Sequence, residues 1–405
     1  MSKKVSIAGN KGPKVRSDCE ISLTLTTDKE NSIDLKSRVE SMFGNSIRNL
    51  VIEILDFFEI KGALVEISDS GALPFVIAAR LEASIKELID TDKEFLPEMI
   101  DANMYSSEHS RYRFSRLYLP GNTPSMMLNA GLHSPDGIIL DLEDSVAPSK
   151  KKEARLLVRN ALRSLNFYGV ERMVRINQGD MGILDLQYIV PHNVHLILVP
   201  KCESAEYIVK LENEIDSISS KLNIDTIIFL MPILESALGI ENAFEIAKSS
   251  TNIVAMAIGL EDYTADLGVQ RTVGGDESLY ARMRLVNAAK AAVIQPIDSV
   301  FSDVSDMEAL KDTVMRSKAM GFEGMGCIHP RQIQVIKKAF APTEGEIEKA
   351  SKIVLAFREA DKQGLGVVAL GSKMIDPPVV IRALKTIRLA EELGLLKSDW
   401  DSIAD

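Results

Sequence analysis

The chain has 405 residues, 46% hydrophobic, 26% charged and 5% aromatic, with a formal net charge of −11 at pH 7. That length accommodates two or three domains, each able to bury a core, and the acidic balance excludes a general affinity for nucleic acid or for anionic membrane surfaces while leaving room for a local basic pocket. Cys19, Cys202 and Cys327 lie far apart in no metal-like spacing, which suits a reducing compartment. The basic start MSKKVSIAGNKGPK lacks the apolar run of a signal peptide, and no apolar stretch approaches the ~20 residues that span a bilayer. A cytoplasmic location is expected.

In chain order, Cys19, Ile21, Leu23 and Leu25 alternate within residues 18–26 and predict a half-buried strand. From Asp34 the apolar spacing changes to three and four (Leu35, Val39, Met42, Phe43, Ile47, Leu50, Val51, Ile54, Leu55, Phe58), an amphipathic helix ending near Gly62. A strand at 63–67, a turn at Asp69, Ser70 and Gly71, and a second helix to about Ile89 complete a small α+β domain, residues 1–95. The polar stretch 91–109 reads as linker, so that 96–110 joins this domain to the rest.

From residue 111 the pattern becomes regular. Strand-like runs at 117–120, 137–142, 172–176, 195–199, 226–234, 253–259, 297–302 and 324–328 alternate with helical segments. Eight such repeats predict an α/β fold, a (β/α)₈ TIM barrel over 111–395, carrying a helical C-terminal extension from about residue 364. A doubly wound open sheet is the competing architecture, but no Gly-rich dinucleotide turn follows the first strand.

Active sites of such barrels lie at the carboxyl ends of the strands, and most of these runs close on a titratable residue: Asp141, Glu143 and Asp144; Arg175; Lys201; Glu235; Glu261 and Asp262; Asp303; His329. Carboxylates that follow long apolar runs point into the barrel mouth, where burial is costly without a cation. Two carboxylates from neighbouring strands suit a hard divalent ion such as Mg²⁺, which keeps several waters and leaves positions for substrate oxygens. Histidine and cysteine clusters for zinc are absent from the sequence.

The motifs LYLPGN (117–122), ILDLEDSV (139–146), VRIN (174–177), VPKCES (199–204), ILES (233–236), GLEDY (259–263) and CIHP (327–330) resemble, in order, those of the citrate lyase β-subunit family, which includes malyl- and citramalyl-thioester lyases. GLGVV (364–368) and KMIDPPV (373–379) extend the resemblance to the tail. The resemblance implies Glu235 and Asp262 as magnesium ligands and Arg175 as the grip on the keto-acid carboxylate. It implies Glu143 and Asp144 as carboxylates ordering water around the metal, and Asp376 as the acid that serves a neighbouring subunit's site. On the residues alone, Asp376 before Pro377 reads as a helix N-cap. The implied chemistry is retro-Claisen cleavage of a 3-hydroxy-acyl thioester.

Residues 1–95 resemble the acyl-carrier (γ) subunit of citrate lyase through FGNSIR (43–48) and the segment from SGAL (70–73) to ARLEA (79–83). That resemblance makes Ser17 the attachment point of a phosphoribosyl-dephospho-CoA arm, although Ser17 stands one residue nearer the following Asp18 than the family's usual serine. Ser125 favours a tethered substrate, since several relatives using free CoA thioesters have a basic residue hereabouts. The expected activity is cleavage of citryl-carrier to oxaloacetate and acetyl-carrier. Citramalyl-carrier cleavage to pyruvate, or cleavage of a free citramalyl-CoA or malyl-CoA, remain as alternatives, and a non-catalytic scaffold subunit is the reading of a different class. Expected partners are an α-type CoA-transferase subunit, a prosthetic-group synthase and further copies of the chain in a trimer-like oligomer.

Overall fold

The computed structural model describes residues 5–364, 367–370 and 373–401. The N-terminal layer is a four-stranded sheet of β1 (Val5–Gly9), β2 (Cys19–Leu25), β3 (Ser32–Ser37) and β4 (Ala63–Asp69), ordered β1-β2-β4-β3, with β3 parallel to β4 and the other pairs antiparallel. Helices α1 (Glu40–Phe57) and α2 (Pro74–Leu88) cover it, and Ile21, Leu23, Val51, Ile54, Val65 and Leu81 sit in their common core. Two edge strands escaped the sequence reading. In β3 only Leu35 is buried, so no apolar alternation marks it, and pairing with β4 alone holds it extended. The first helix accordingly begins at Glu40, because Asp34 to Ser37 are hydrogen-bonded opposite Glu66 to Asp69.

The expected eight parallel strands are all present: β5 (Ser115–Pro120), β6 (Gly137–Asp141), β7 (Glu171–Arg175), β8 (Leu196–Val199), β9 (Phe229–Leu234), β10 (Ala255–Ile258), β11 (Gln295–Asp298) and β12 (Gly324–Cys327). They pair in sequence, and β12 closes on β5 through Met325 opposite Ser115. Ile139, Met173, Leu198, Met231, Ile233 and Ala257 fill the interior, as packed barrels require. Helices lie between most strands, which makes the fold a (β/α)₈ barrel. The seventh strand ends at Asp298, not in the run to Asp303 read from the sequence; Asp303 lies in the following loop and accepts hydrogen bonds from Ser305.

Residues 91–109 have little regular structure beyond a 3₁₀ turn at Asp101–Asn103, yet they are held firmly. Buried Asn103 donates to the carbonyls of Leu162 and Leu165, and the Tyr105 hydroxyl donates to Val170 O at 2.6 Å. Arg113 then pairs with Glu171 at 2.7 Å, both side chains fully buried.

The N-terminal layer and the barrel fall in one compact unit, Met1–Ser305 with Ser317–Ile333. They meet through charge as well as apolar surface. Arg159, on helix Lys151–Ser164, makes a two-pronged pair with Glu82 of α2 at 3.0 and 2.6 Å, and neither side chain is exposed. Glu153 accepts from the Gly9 amide at 2.6 Å, and Asn160 donates to Phe75 O. Arg80 grips Asp18 through Nε and Nη2 and also donates to Asn122 O at 3.0 Å, in the loop that follows β5. Such pairs fix geometry, because each leaves a buried charge when its partner is removed.

A second unit comprises Asp306–Arg316 and Gln334–Asp405. In it, helix Glu344–Lys362, opened by a Thr343/Glu346 capping box, packs on helix Pro377–Glu392 through Ile353, Val354, Val380 and Ile387. A short hairpin of β13 (Val368–Leu370) and β14 (Lys373–Ile375) joins the two helices. Leu365 and Gly366, of the 364–368 motif, lie outside the described residues. Among the described residues no helix is long and apolar enough to cross a membrane.

Candidate active site

At the carboxyl ends of the barrel strands lies a cavity of about 410 Å³, lined among others by Arg116, Tyr118, Asp141, Arg175, Glu235 and Asp262. Its organising cation is Arg175, the last residue of β7. Arg175 donates from Nε and Nη2 to the two oxygens of Asp141, each at 2.7 Å, while Nη1 lies 2.9 Å from Glu143 and 3.8 Å from Asp144. The guanidinium stacks 5.4 Å above the Tyr118 ring. Burial alone lowers an arginine's basicity, but the hydrogen bonds and charge of Asp141 outweigh it and hold Arg175 above its usual value. Burial likewise pushes the Asp141 carboxyl up, and Arg175 more than reverses this, holding it below the ordinary carboxylate range.

The loop carrying Glu143 is set from behind. Lys151 Nζ donates to the carbonyls of Leu142 and Glu143 and to Asn177 Oδ1, and buried Asp185 receives the amide and side chain of Asn177. Gln178 donates to Glu143 Oε1 at 2.7 Å, whereas Glu143 Oε2 has no hydrogen bond of good geometry despite the nearby Arg175. Burial raises the Glu143 carboxyl, with Asp144 and Asp141 adding to it against the pull of Arg175.

Across the mouth, Glu235 follows β9 directly and is almost wholly buried. It accepts the Lys201 amide at 2.7 Å, which Lys201 presents from a left-handed backbone at φ 44°. Burial, then repulsion from Asp262 and Glu143, pushes the Glu235 carboxyl up to about 8. Asp262 lies in the first turn of helix Leu260–Leu267, where a negative charge is favoured, and pairs with Lys201 Nζ at 3.0 Å. Gly259 allows this crowding: a Cβ there would stand 2.3 Å from Glu235 Oε2.

These carboxylates fit a magnesium ion. Among the described residues no group of three or more His, Cys, Asp or Glu side chains is placed to hold a metal ion on its own. Mg²⁺ needs only one or two carboxylates and keeps its waters, and Glu235 and Asp262 both line the cavity. Buried Glu235 has no ion-pair partner among the described residues, and its elevated carboxyl marks an acceptor that the chain's own cations do not meet.

The structure thus brings Arg175, Glu143, Asp144, Glu235 and Asp262 to one region. His329 lies just past β12, its Nδ1 taken by the Arg331 amide, and is not among the residues lining the cavity. In the second unit, Asp376 caps helix Pro377–Glu392, accepting from the Val379 amide at 3.2 Å. Ser17 is partly exposed at φ 54°, its amide bound to Ser70 O, next to the buried Asp18. The sequence reading missed Arg116, Tyr118 and Asp298. Arg116 falls one residue before the strand run as read at 117–120, yet shares with Tyr118 the inward face of β5. Period-two alternation extended one residue upstream finds it. Asp298 is held by Arg282 and the Ser317 hydroxyl.

Residues 115–330 match the family model described as HpcH/HpaI aldolase/citrate lyase. Residues 7–88 match that of the malonate decarboxylase delta subunit (MdcD), an acyl-carrier-like domain. The citrate lyase subunit beta of Leuconostoc mesenteroides subsp. cremoris is 36% identical over 299 residues, 73% of this chain and 99% of its own length. Human mitochondrial citramalyl-CoA lyase is 31% identical over 302 residues, 71% of this chain and 89% of its own length. A solved structure of CitE from Mycobacterium tuberculosis, in complex with magnesium, acetoacetate and coenzyme A, is similar at a TM-score of 0.59 and 28% identity, over 70% of this chain and 99% of that one. The closed barrel, the carboxylates at its strand ends and these likenesses agree: the chain is a lyase and belongs to the HpcH/HpaI aldolase/citrate lyase family.

Proposed function

We propose that the chain is a fused carrier and lyase subunit, cleaving a citryl thioester held on its own N-terminal domain (residues 1–95) to oxaloacetate and an acetyl thioester. The observation that carries this reading is the contact of Arg80 with both Asp18 and Asn122. Ser17, the proposed attachment point of a phosphoribosyl-dephospho-CoA arm, adjoins Asp18, and Asn122 belongs to the rim loop at the carboxyl end of β5. An arm rooted there starts at the edge of the barrel mouth. The human relative is named for citramalyl-CoA, which makes citramalyl cleavage to pyruvate, or use of a free CoA thioester, the second reading.

In the reaction the substrate hydroxyl passes its proton to water held by Glu143 and Asp144, and the bond between the carbinol carbon and the carbon next to the thioester breaks. The electron pair passes into the acyl fragment as an enolate, whose carbon then takes a proton. Glu235 and Asp262 would hold a magnesium ion, which when bound would supply positive charge to lower the hydroxyl pKa and polarise the emerging carbonyl. Arg175 keeps one edge of its planar fork on Asp141, which fixes the fork's plane, and orients the keto-acid carboxylate with the remaining Nη1–Nη2 edge. Glu143 and Asp144 order water at the mouth. Asp376, delivered from a neighbouring copy in an oligomer, donates the proton to the enolate carbon. An α-type CoA-transferase chain exchanges acetyl for citryl groups, a synthase installs the arm, and the setting is cytoplasmic.

The test is release of oxaloacetate from protein loaded with citryl groups in the presence of Mg²⁺. Glu235→Ala and Asp262→Ala are expected to abolish release and magnesium binding together, and near-normal turnover in either variant refutes the assignment.

A further inference from the structure

Arg116 is the cation of the cavity that the proposed chemistry leaves unused. It projects from β5 into the barrel, lines the cavity and is 1% exposed. Its Nη1 lies 2.8 Å from Met231 Sδ, a weak acceptor, and its Nε has no hydrogen-bond partner. Among the described residues no carboxylate stands within ion-pair distance of it. The contrast with Arg175 is direct: on the same wall, beyond Tyr118, Arg175 already has its charge met by Asp141 and Glu143. Burial pulls Arg116 below the usual arginine value, yet an arginine stays charged in any protein interior. A buried guanidinium without an anion is costly, and a ligand that brings one removes the cost.

We propose that Arg116 receives a second carboxylate of the substrate and so determines which acyl group the lyase accepts. This rests on the reading of the cavity as a citryl or citramalyl thioester lyase. The two acyl groups differ in the arm on the carbinol carbon: the citryl group carries a carboxymethyl arm, the citramalyl group a methyl. The keto-acid carboxylate common to both belongs to Arg175. The carboxymethyl carboxylate finds its partner in Arg116, with the two-pronged geometry open to a guanidinium. A methyl in that place leaves Arg116 buried and unpaired, and sites built to bind a polar group reject analogues that lack it far more strongly than apolar pockets reject an extra atom.

Two measurements test this. Wild-type holo-protein with Mg²⁺ is expected to cleave the citryl thioester at least ~100-fold faster, in kcat/KM, than the citramalyl thioester. Arg116→Met is expected to lose citryl cleavage by a similar factor, to change citramalyl cleavage by less than about tenfold, and to leave magnesium binding unaltered, with Arg116→Lys intermediate. Equal loss on both substrates, or none on either, overturns the proposal. The second measurement needs neither turnover nor a variant: with Mg²⁺ present, oxaloacetate is expected to bind wild-type protein more tightly than pyruvate. Equal affinity for the two, or a preference that survives in Arg116→Met, overturns the role of Arg116. A wild-type protein that cleaves neither thioester refutes the proposed lyase substrate, and the binding comparison then still decides Arg116.

Discussion

Replacing Glu82 by alanine attacks the joint between the N-terminal layer and the barrel without touching the cavity. Arg159 would lose the bonds from Nη1 and Nη2 to Glu82, at 3.0 and 2.6 Å, while its side chain stays fully buried. Removing one partner of a buried pair costs about 3–5 kcal/mol. Here Glu94, 31% exposed, still holds Nη1 at 2.8 Å and Asn160 Oδ1 accepts from Nε, so the lower end, about 3 kcal/mol, is expected. Removing both charges in Glu82→Met with Arg159→Met leaves neither charge of the pair buried alone, although Phe95 N–H and Asn160 Oδ1 lose their partners, and should recover at least about half of that loss. Urea unfolding followed by circular dichroism measures both variants. Hydrogen exchange at the α2 amides shows whether the loss is local to the joint. A shift below about 1 kcal/mol in the single variant, or equal loss in the double, would refute the view that paired buried charge orients these two layers.

Gly259→Ala should preserve the fold by circular dichroism but weaken magnesium binding and cleavage by at least about tenfold, because the added methyl would occupy space 2.3 Å from Glu235 Oε2; unchanged magnesium affinity would argue against Glu235 as a ligand. His192 and His195 are held at about 3, by burial first and then by Arg163 and Arg172 respectively. Below their ordinary value of 6.5 the unfolded chain takes up protons that the folded one refuses. Stability should therefore be full above pH 6.5 and fall by about 1.4 kcal/mol per pH unit for each histidine as the pH drops toward 3. Urea midpoints that stay flat between pH 7.5 and 5 would contradict this. Burial pushes the Cys202 and Cys327 thiols up to about 12 and raises Cys19 as well. A thiol-titrating disulfide reagent should thus find none of the three reactive in native protein and all of them after denaturation.

The sequence by itself determined the barrel, because eight buried parallel strands must be written as apolar runs, and those runs stand in the chain whatever surrounds them. It also placed Arg175, Glu143, Asp144, Glu235 and Asp262 at the strand ends, since the last inward residue of a barrel strand can be counted from the run before it. Where no local pattern exists, the reading failed. Strand β3 has a single buried side chain and is extended only because β4 lies beside it. Arg116 fell just outside the strand run read at 117–120, and although alternation gives its face, the closing of β12 onto β5 encloses it in the barrel. Nothing in the spacing of Glu82 and Arg159, or of Arg80, Asp18 and Asn122, shows that they meet. Ion pairs across 77 or 62 residues of chain are properties of packing, which periodicity does not encode. Tertiary structure alone therefore decided which arginine already has carboxylate partners and which has none.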